Sequence, residues 1–380
     1  KAPDATSSVI ESTAQKTTTT LNIRVEETSQ EPIAIIGLGC RLPGANSITE
    51  LKSLLESGQS AITEVPKDRW DSKLFYDQDQ KAPDKTYSKI GGFLDGFVFE
   101  PKRFRIPPKM AAHIDIVQQI ALCSVADALD DAGIDLETEG KSRVAVILGN
   151  SMGGESSDDT MLRSRIPEFI QTLSKQAFLQ GFPAAKQKTL LEELTQEIKD
   201  SLPTINEDTM PGELPNVIAG RIANAFDFQG PNYTVDAACA SSMAAIQAAV
   251  KGLREHEFDL AISGGSDRSM GVPTYIKFSK IGALSPNISA PFDQRANGFV
   301  MGEGCGILVL KRLSDAQRDG DRIYATIRGI GASSDGKGKG ITAPNPRGQE
   351  LAIDRAYQHS NVDINTVDLF ECHGTSTLVG

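Results

Sequence analysis

Paired cysteines, long apolar runs and surplus positive charge are all missing from this sequence. Its five cysteines stand at 40, 123, 239, 305 and 372, and no two are spaced as CxxC. That excludes a zinc knuckle and a closed disulfide frame. We therefore expect a reducing compartment, the cytoplasm, with no metal site and any important cysteine working alone. No stretch approaches the ~20 apolar residues of a membrane span. The N-terminus lacks the basic-then-apolar order of a signal peptide. Lys and Arg number 39 against 50 Asp and Glu, a formal charge of −11. Gripping nucleic acid or an anionic membrane needs a cationic face, so neither partner is expected. Histidines are only four, few enough to weigh one by one.

What is present is ordinary globular composition, with 380 residues, 39% hydrophobic, 34 Gly and 19 Pro. That length suits two to three domains. Residues 1–30 hold eleven Ser or Thr and no aromatic, too little apolar surface to offset ordering entropy, and read as a flexible linker or tail. Within them Leu21, Ile23 and Val25 alternate as a short edge strand would. The chain starts at Lys1 and stops at Gly380 soon after a strand-like run, which reads as a piece of something longer.

From Pro32 the pattern is βαβ. Ile33-Ala34-Ile35-Ile36 is a buried-strand run expected to turn at Gly37-Leu38-Gly39. Residues 60–108 read as long ordered loops. Residues 110–132 have apolar side chains at helical spacing, with Gly133 as the cap. The run 144–148 is apolar on both faces, as in sheets covered by helices on both sides. Residues 155–212 interrupt the rhythm, with a charged helix near 184–202, and read as an inserted surface subdomain or dimer element. Strands are then expected at 233–237, 260–263, 306–310, 322–329 and 367–372. Helices are expected at 241–254 and 349–359, and residues 272–304 read as loop. A helix followed by Gly133-Ile134-Asp135-Leu136 is echoed by a helix followed by Asn361-Val362-Asp363-Ile364. Two similar α/β halves would fit.

Cys239 falls where the strand at 233–237 turns into the helix at 241–254, flanked by Ala237, Ala238, Ala240, Ser241 and Ser242. Small residues suit a tight strand-to-helix turn that pushes a nucleophile outward. A helix N-terminus favours a thiolate, and its N–H groups can stabilise an oxyanion. The competing reading is a small buried core cysteine. His373 follows the strand at 367–372, and carboxyl ends of strands are where ligands bind in such sheets. Its competing reading is a strand-end histidine satisfied by backbone. His113, His256 and His359 read as surface residues.

Together these segments resemble the β-ketoacyl synthase family, the condensing enzymes of fatty acid and polyketide synthesis. The opening strand with Cys40-Arg41-Leu42-Pro43-Gly44 looks like the version common in type I polyketide synthases. Val235-Asp236-Ala237-Ala238-Cys239-Ala240-Ser241-Ser242 resembles the nucleophile motif. Pro291-Phe292-Asp293, Gly298-Phe299-Val300-Met301-Gly302-Glu303-Gly304, Thr342-Ala343-Pro344-Asn345 and His373-Gly374-Thr375-Ser376-Thr377 resemble further signatures. Many modular synthases have Thr at 237 and Ser at 240, and both positions stay small here. The segment 155–212, with Pro211-Gly212-Glu213-Leu214-Pro215-Asn216-Val217-Ile218-Ala219-Gly220 at its end, looks more like the first synthase domain of polyunsaturated fatty acid synthases.

The resemblance implies a thiolase-like fold, two similar α/β halves in an αβαβα arrangement with the C-terminal part truncated. The N-terminal half would run 31–275 around the insert 155–212, and the start of the C-terminal half would run 276–380. It implies Cys239 as the acyl-accepting nucleophile and His373 as the histidine that assists decarboxylation. Thr375 and Thr377 would bind the phosphopantetheine arm of an acyl carrier protein, with no cofactor bound by the domain itself. A homodimer is implied, beside other megasynthase domains such as an acyltransferase. A second histidine, a lysine and a Gly-Phe-Gly loop would lie beyond Gly380. The alternatives are a non-catalytic dimer partner or chain-length subunit, and a cysteine hydrolase.

Overall fold

In the computed structural model the described residues are 30–134, 140–338, 340 and 343–378. The N-terminal tail with its alternating Leu21, Ile23 and Val25, Thr342 of one signature, and Asp135 and Leu136 of the echo lie outside them.

A first pair of short strands, β2 (Ile62–Glu64) and β3 (Ile90–Gly92), stands apart. The main sheet has six strands: β1 (Ile33–Arg41), β4 (Val144–Gly149), β5 (Asn232–Val235), β6 (Leu260–Asp267), β7 (Gly304–Arg312) and β8 (Ala325–Ile327). Their order across it is β5-β4-β6-β7-β1-β8. Strands β4, β5 and β6 run parallel, while β7 is antiparallel to β6 and β1. The carboxyl ends of β4, β5 and β6 therefore share one edge with the start of β7, where Gly304 pairs Asp267.

Period-2 alternation sends the strand side chains into two cores. Val144, Val146 and Leu148 of β4 pack with Ile262 and Val309 against helices Ile116–Ala132 and Val217–Phe226. Ala145 and Ile147 face the other way, onto Ala245, Ala249 and Leu253 of helix Ser241–Arg254. Every residue of β4 is buried, the mark of a strand covered by helices on both faces. Fully burying one such side chain contributes about 1.5–3 kcal/mol.

Several expectations are corrected here. Strand β1 does not turn at Gly37-Leu38-Gly39 but runs to Arg41. The two glycines serve helix contact instead: a Cβ on Gly37 would lie 2.4 Å from the Ala128 carbonyl oxygen, and on Gly39 2.0 Å from that of Ser124. The stretch 272–304 is not all loop. Helix Val272–Lys280 begins with a proline in its first turn and buries Tyr275, whose ring meets Trp70 edge-on at 5.1 Å. Strand β7 lies beyond position 275 yet occupies the middle of the sheet, because its alternate residues feed both cores.

The echo is real up to a point. Helices Ile116–Ala132 and Pro346–Ser360 both end in a left-handed residue, Gly133 and Asn361, and a short 3-10 turn follows each. In the first copy β4 comes next, but residues 367–372 are not a strand. Among the described residues no strand lies beside them to complete a ladder, and Leu369 and Phe370 are exposed. The described residues thus contain one six-stranded, helix-covered sheet beside the β2–β3 pair.

The insert leaves after β4 and returns before β5 as helices Ser156–Ser174, Ala177–Gln180, Ala184–Asp200 and Thr209–Glu213. Both of its ends are clamped by the start of the buried helix Ile116–Ala132. The Ser156 N–H donates to Asp115 Oδ2 at 2.8 Å, and Gln118 Nε2 donates to the Gly212 carbonyl at 2.8 Å.

Candidate active site

Cys239 lies at the shared carboxyl edge, between the end of β5 and helix Ser241–Arg254, and it is exposed. The buried-core reading of this cysteine is therefore excluded. The turn is tight enough to put Ala238 at φ +50°, a left-handed conformation that residues bearing a Cβ adopt rarely. Asp236 Oδ1 accepts the Ala238 N–H at 2.9 Å, and Ser241 Oγ accepts the Ala237 N–H at 2.9 Å. Room for the helix N-terminus comes from two strand-end glycines. A Cβ on Gly149 would lie 2.3 Å from the Ser242 nitrogen, and one on Gly265 2.9 Å from the Ser242 Cβ.

The other cysteines separate by burial. Cys40, Cys123 and Cys305 are buried and Cys372 is exposed. Burial raises all three buried thiols, Cys123 to about 11 and Cys305 to about 12.

His373 is exposed and follows an irregular segment instead of the expected strand. Its neighbourhood is fixed by Ser376, which is buried. Ser376 Oγ accepts the Ala290 N–H at 2.9 Å, and its carbonyl accepts the Gly298 N–H at 2.8 Å. The segment 373–377 therefore hangs from the loop that leads into β7. Thr375 and Thr377 are brought together, their hydroxyls 2.9 Å apart. No hydrogen bond joins Cys239 to His373 among the described residues.

Of the remaining histidines, His113 Nε2 lies 2.9 Å from the Asn206 side-chain nitrogen, and His359 Nδ1 lies 3.4 Å from the Ile330 carbonyl. His359 is exposed, as expected, whereas His113 is half-buried and its contact reaches a residue 93 positions away.

Two features at this edge escaped the sequence reading. Asn150, directly after β4, is buried and joins three strand ends. Its backbone N–H donates to Val235, its side-chain N–H to the Ser266 carbonyl at 2.8 Å, and its Oδ1 accepts from Gly153. A polar residue closing an all-apolar strand was the available signal. The second feature is a charge cluster. Arg69 binds Glu303 at 2.7 Å and Glu155 at 2.9 Å, and Arg268 binds Glu155 at 2.8 Å. Burial pushes the nearby Asp267 carboxyl up to about 6, aided by the charges of Glu303 and Glu155 and opposed by its bond from Ser269. Arg69 and Glu303 are 234 positions apart, so one sequence gives no sign of the pairing.

Comparison with known proteins agrees with this architecture. The β-ketoacyl synthase N-terminal domain family matches residues 30–316, and the C-terminal domain family matches residues 324–380. A polyunsaturated fatty acid synthase polypeptide from Thraustochytrium sp. is 37% identical across 92% of this chain, which spans 12% of that protein. A phenolphthiocerol/phthiocerol polyketide synthase polypeptide from Mycobacterium tuberculosis is 35% identical across 92% of this chain, which spans 20% of it. The oxazolomycin ketosynthase domain of Streptomyces albus superposes with a TM-score of 0.76 at 30% identity, covering 92% of this chain and 54% of that one. A module 6 ketosynthase of the Bacillus subtilis bacillaene synthase gives 0.73 at 30% identity, with 91% and 52% covered. No helix of the described residues is long and apolar enough to cross a membrane. With its ordered motifs, its helix-covered sheet and the Cys239 turn, the chain belongs to the β-ketoacyl synthase family and has its thiolase-like fold.

Proposed function

We propose that this chain forms the nucleophile-bearing part of a condensing acyltransferase that extends acyl chains by decarboxylative Claisen condensation. The observation that carries this reading is the exposed Cys239 thiol, raised on a braced turn in a chain of this family. Cys239 attacks an acyl thioester. A new S–C bond forms as the carrier's S–C bond breaks, and the carrier thiol leaves with a proton. A malonyl-type thioester then loses CO₂, and the electron pair of the broken C–C bond passes into an enolate. His373, as a neutral donor, stabilises the enolate oxygen. The enolate carbon attacks the acyl-Cys239 carbonyl, a C–C bond forms, and the thiolate departs.

Thr375 and Thr377 hold the phosphopantetheine arm of an acyl carrier protein, and no cofactor resides in this part itself. The adjacency of their hydroxyls supports a shared contact on that arm. The setting is a cytoplasmic megasynthase making polyketides or polyunsaturated fatty acids, with an acyltransferase among its neighbouring domains. A second copy pairs along β5, an edge strand whose outer side has no partner strand among the described residues and whose Tyr233 is exposed.

The test uses the full-length protein and measures labelled acyl transfer beside CO₂ release. Cys239→Ala abolishes loading, while malonyl decarboxylation persists. His373→Ala loses decarboxylation and condensation by orders of magnitude yet keeps much of its loading. Condensation at wild-type rate in the His373 variant overturns its role, and loading in the Cys239 variant overturns the reaction.

A further inference from the structure

The turn below Cys239 is held from inside the fold. The Ser241 hydroxyl accepts from the Ala237 N–H at 2.9 Å and donates to the Ala238 carbonyl at 2.6 Å. One oxygen therefore ties the peptide group ahead of Ala237 to the one after Ala238, spanning the residue at φ +50°. Residues 236–240 are exposed, whereas Ser241 is 6% exposed. Its backbone is seated on Gly149, where an added Cβ would meet its carbonyl carbon at 2.3 Å. Ser241 is thus a fixed point, and the exposed turn is moored to it. On the outer side Asp236 adds the bond from the Ala238 N–H, but that carboxylate stands in water and holds less firmly.

We propose that Ser241 is a positioning residue for Cys239. Its hydroxyl holds Ala238 in the left-handed conformation and so fixes the direction of the thiol and of the Cys239 N–H. This rests on the reading of Cys239 as the acyl acceptor. Without the hydroxyl, Ala238 relaxes toward negative φ, because its Cβ disfavours the left-handed region. The next residue then swings away from its productive placement. Glycine has no such preference, so Ala238→Gly removes the need for the brace.

The experiment follows Cys239 acylation in the full-length protein with an acyl-N-acetylcysteamine thioester, and Cys239 alkylation with iodoacetamide. Ser241→Ala is expected to slow acylation by roughly ten- to a hundredfold, the scale of a misplaced reacting group. The double variant Ser241→Ala/Ala238→Gly is expected to recover most of that rate, which a purely structural role of Ser241 would not produce. If Ser241→Ala does not fold, Asp236→Ala takes its place, with a few-fold loss likewise recovered by Ala238→Gly. Wild-type acylation by Ser241→Ala overturns the proposal, and so does a slow variant that Ala238→Gly fails to rescue. If the wild-type protein alkylates at Cys239 but never acylates there, the acyl-acceptor reading fails. The alkylation rates of the same variants then decide the positioning role by the same pattern.

Discussion

Gly149, the last residue of β4, lies directly against Ser241, the first residue of the helix behind Cys239: a Cβ on Gly149 would sit 2.3 Å from the Ser241 carbonyl carbon. The obstacle is helix backbone, which cannot rotate away as a side chain could. Gly149→Ala is expected to lower stability by about 1–3 kcal/mol, the usual range for overpacking, and to slow Cys239 acylation. Gly140→Ala is the control, since nothing lies within 4 Å of its added Cβ and its φ is −69°. Thermal unfolding of the two variants checks this, and equal melting temperatures would contradict it.

Thiol accessibility divides the cysteines two against three. Native protein treated with iodoacetamide near neutral pH is expected to label Cys239 and Cys372, which are exposed. Cys40, Cys123 and Cys305 stay protected, because burial both blocks the reagent and raises their thiols. Peptide mass spectrometry before and after denaturation reads this directly, and native labelling of Cys305 would contradict the sheet placement of β7.

Asp267 gives stability an unusual pH slope. Its folded pKa, about 6, lies above the ordinary 3.8. The folded state therefore binds more protons between those values, and stability falls as pH rises from about 4 to 6. Above pH 6 the burial cost of the charge is fully present. Asp267→Asn is expected to stabilise the protein by on the order of 2 kcal/mol at pH 7.5, with the gain vanishing below about pH 4. Urea unfolding at several pH values measures it. A gain that does not depend on pH would mean that the charge is not responsible.

The Arg69–Glu303 pair, with the Glu303 side chain fully buried, ties two charges together inside the fold. Glu303→Gln leaves Arg69 and Arg268 to share Glu155 alone and is expected to cost about 3–5 kcal/mol. The double variant Arg69→Met/Glu303→Gln should lose less than the sum of the single changes, because the stranded charge is gone. Additive losses in chemical denaturation would show that the pair is not coupled.

The sequence alone determined what depends on neighbours along the chain. Apolar runs and capping residues located β4, the helix Ser241–Arg254 and the Gly133 cap. The small residues around Cys239 marked a strand-to-helix turn, and ordered motifs marked the family. The tertiary structure alone decided what depends on partners distant in sequence. It carried β1 through Gly37 and Gly39, because only the packed helix explains why those positions lack a Cβ. It put β7 into the middle of the sheet, since strand order is a matter of pairing and not of pattern. Among the described residues it gave 367–372 no partner strand, and backbone groups need one to form a ladder however strand-like the run. It also assembled Asn150, Arg69, Glu155, Arg268 and Glu303 around the edge that carries Cys239. Each is an ordinary polar residue until burial, which penalises every unpaired charge or amide, shows which partner it has to meet.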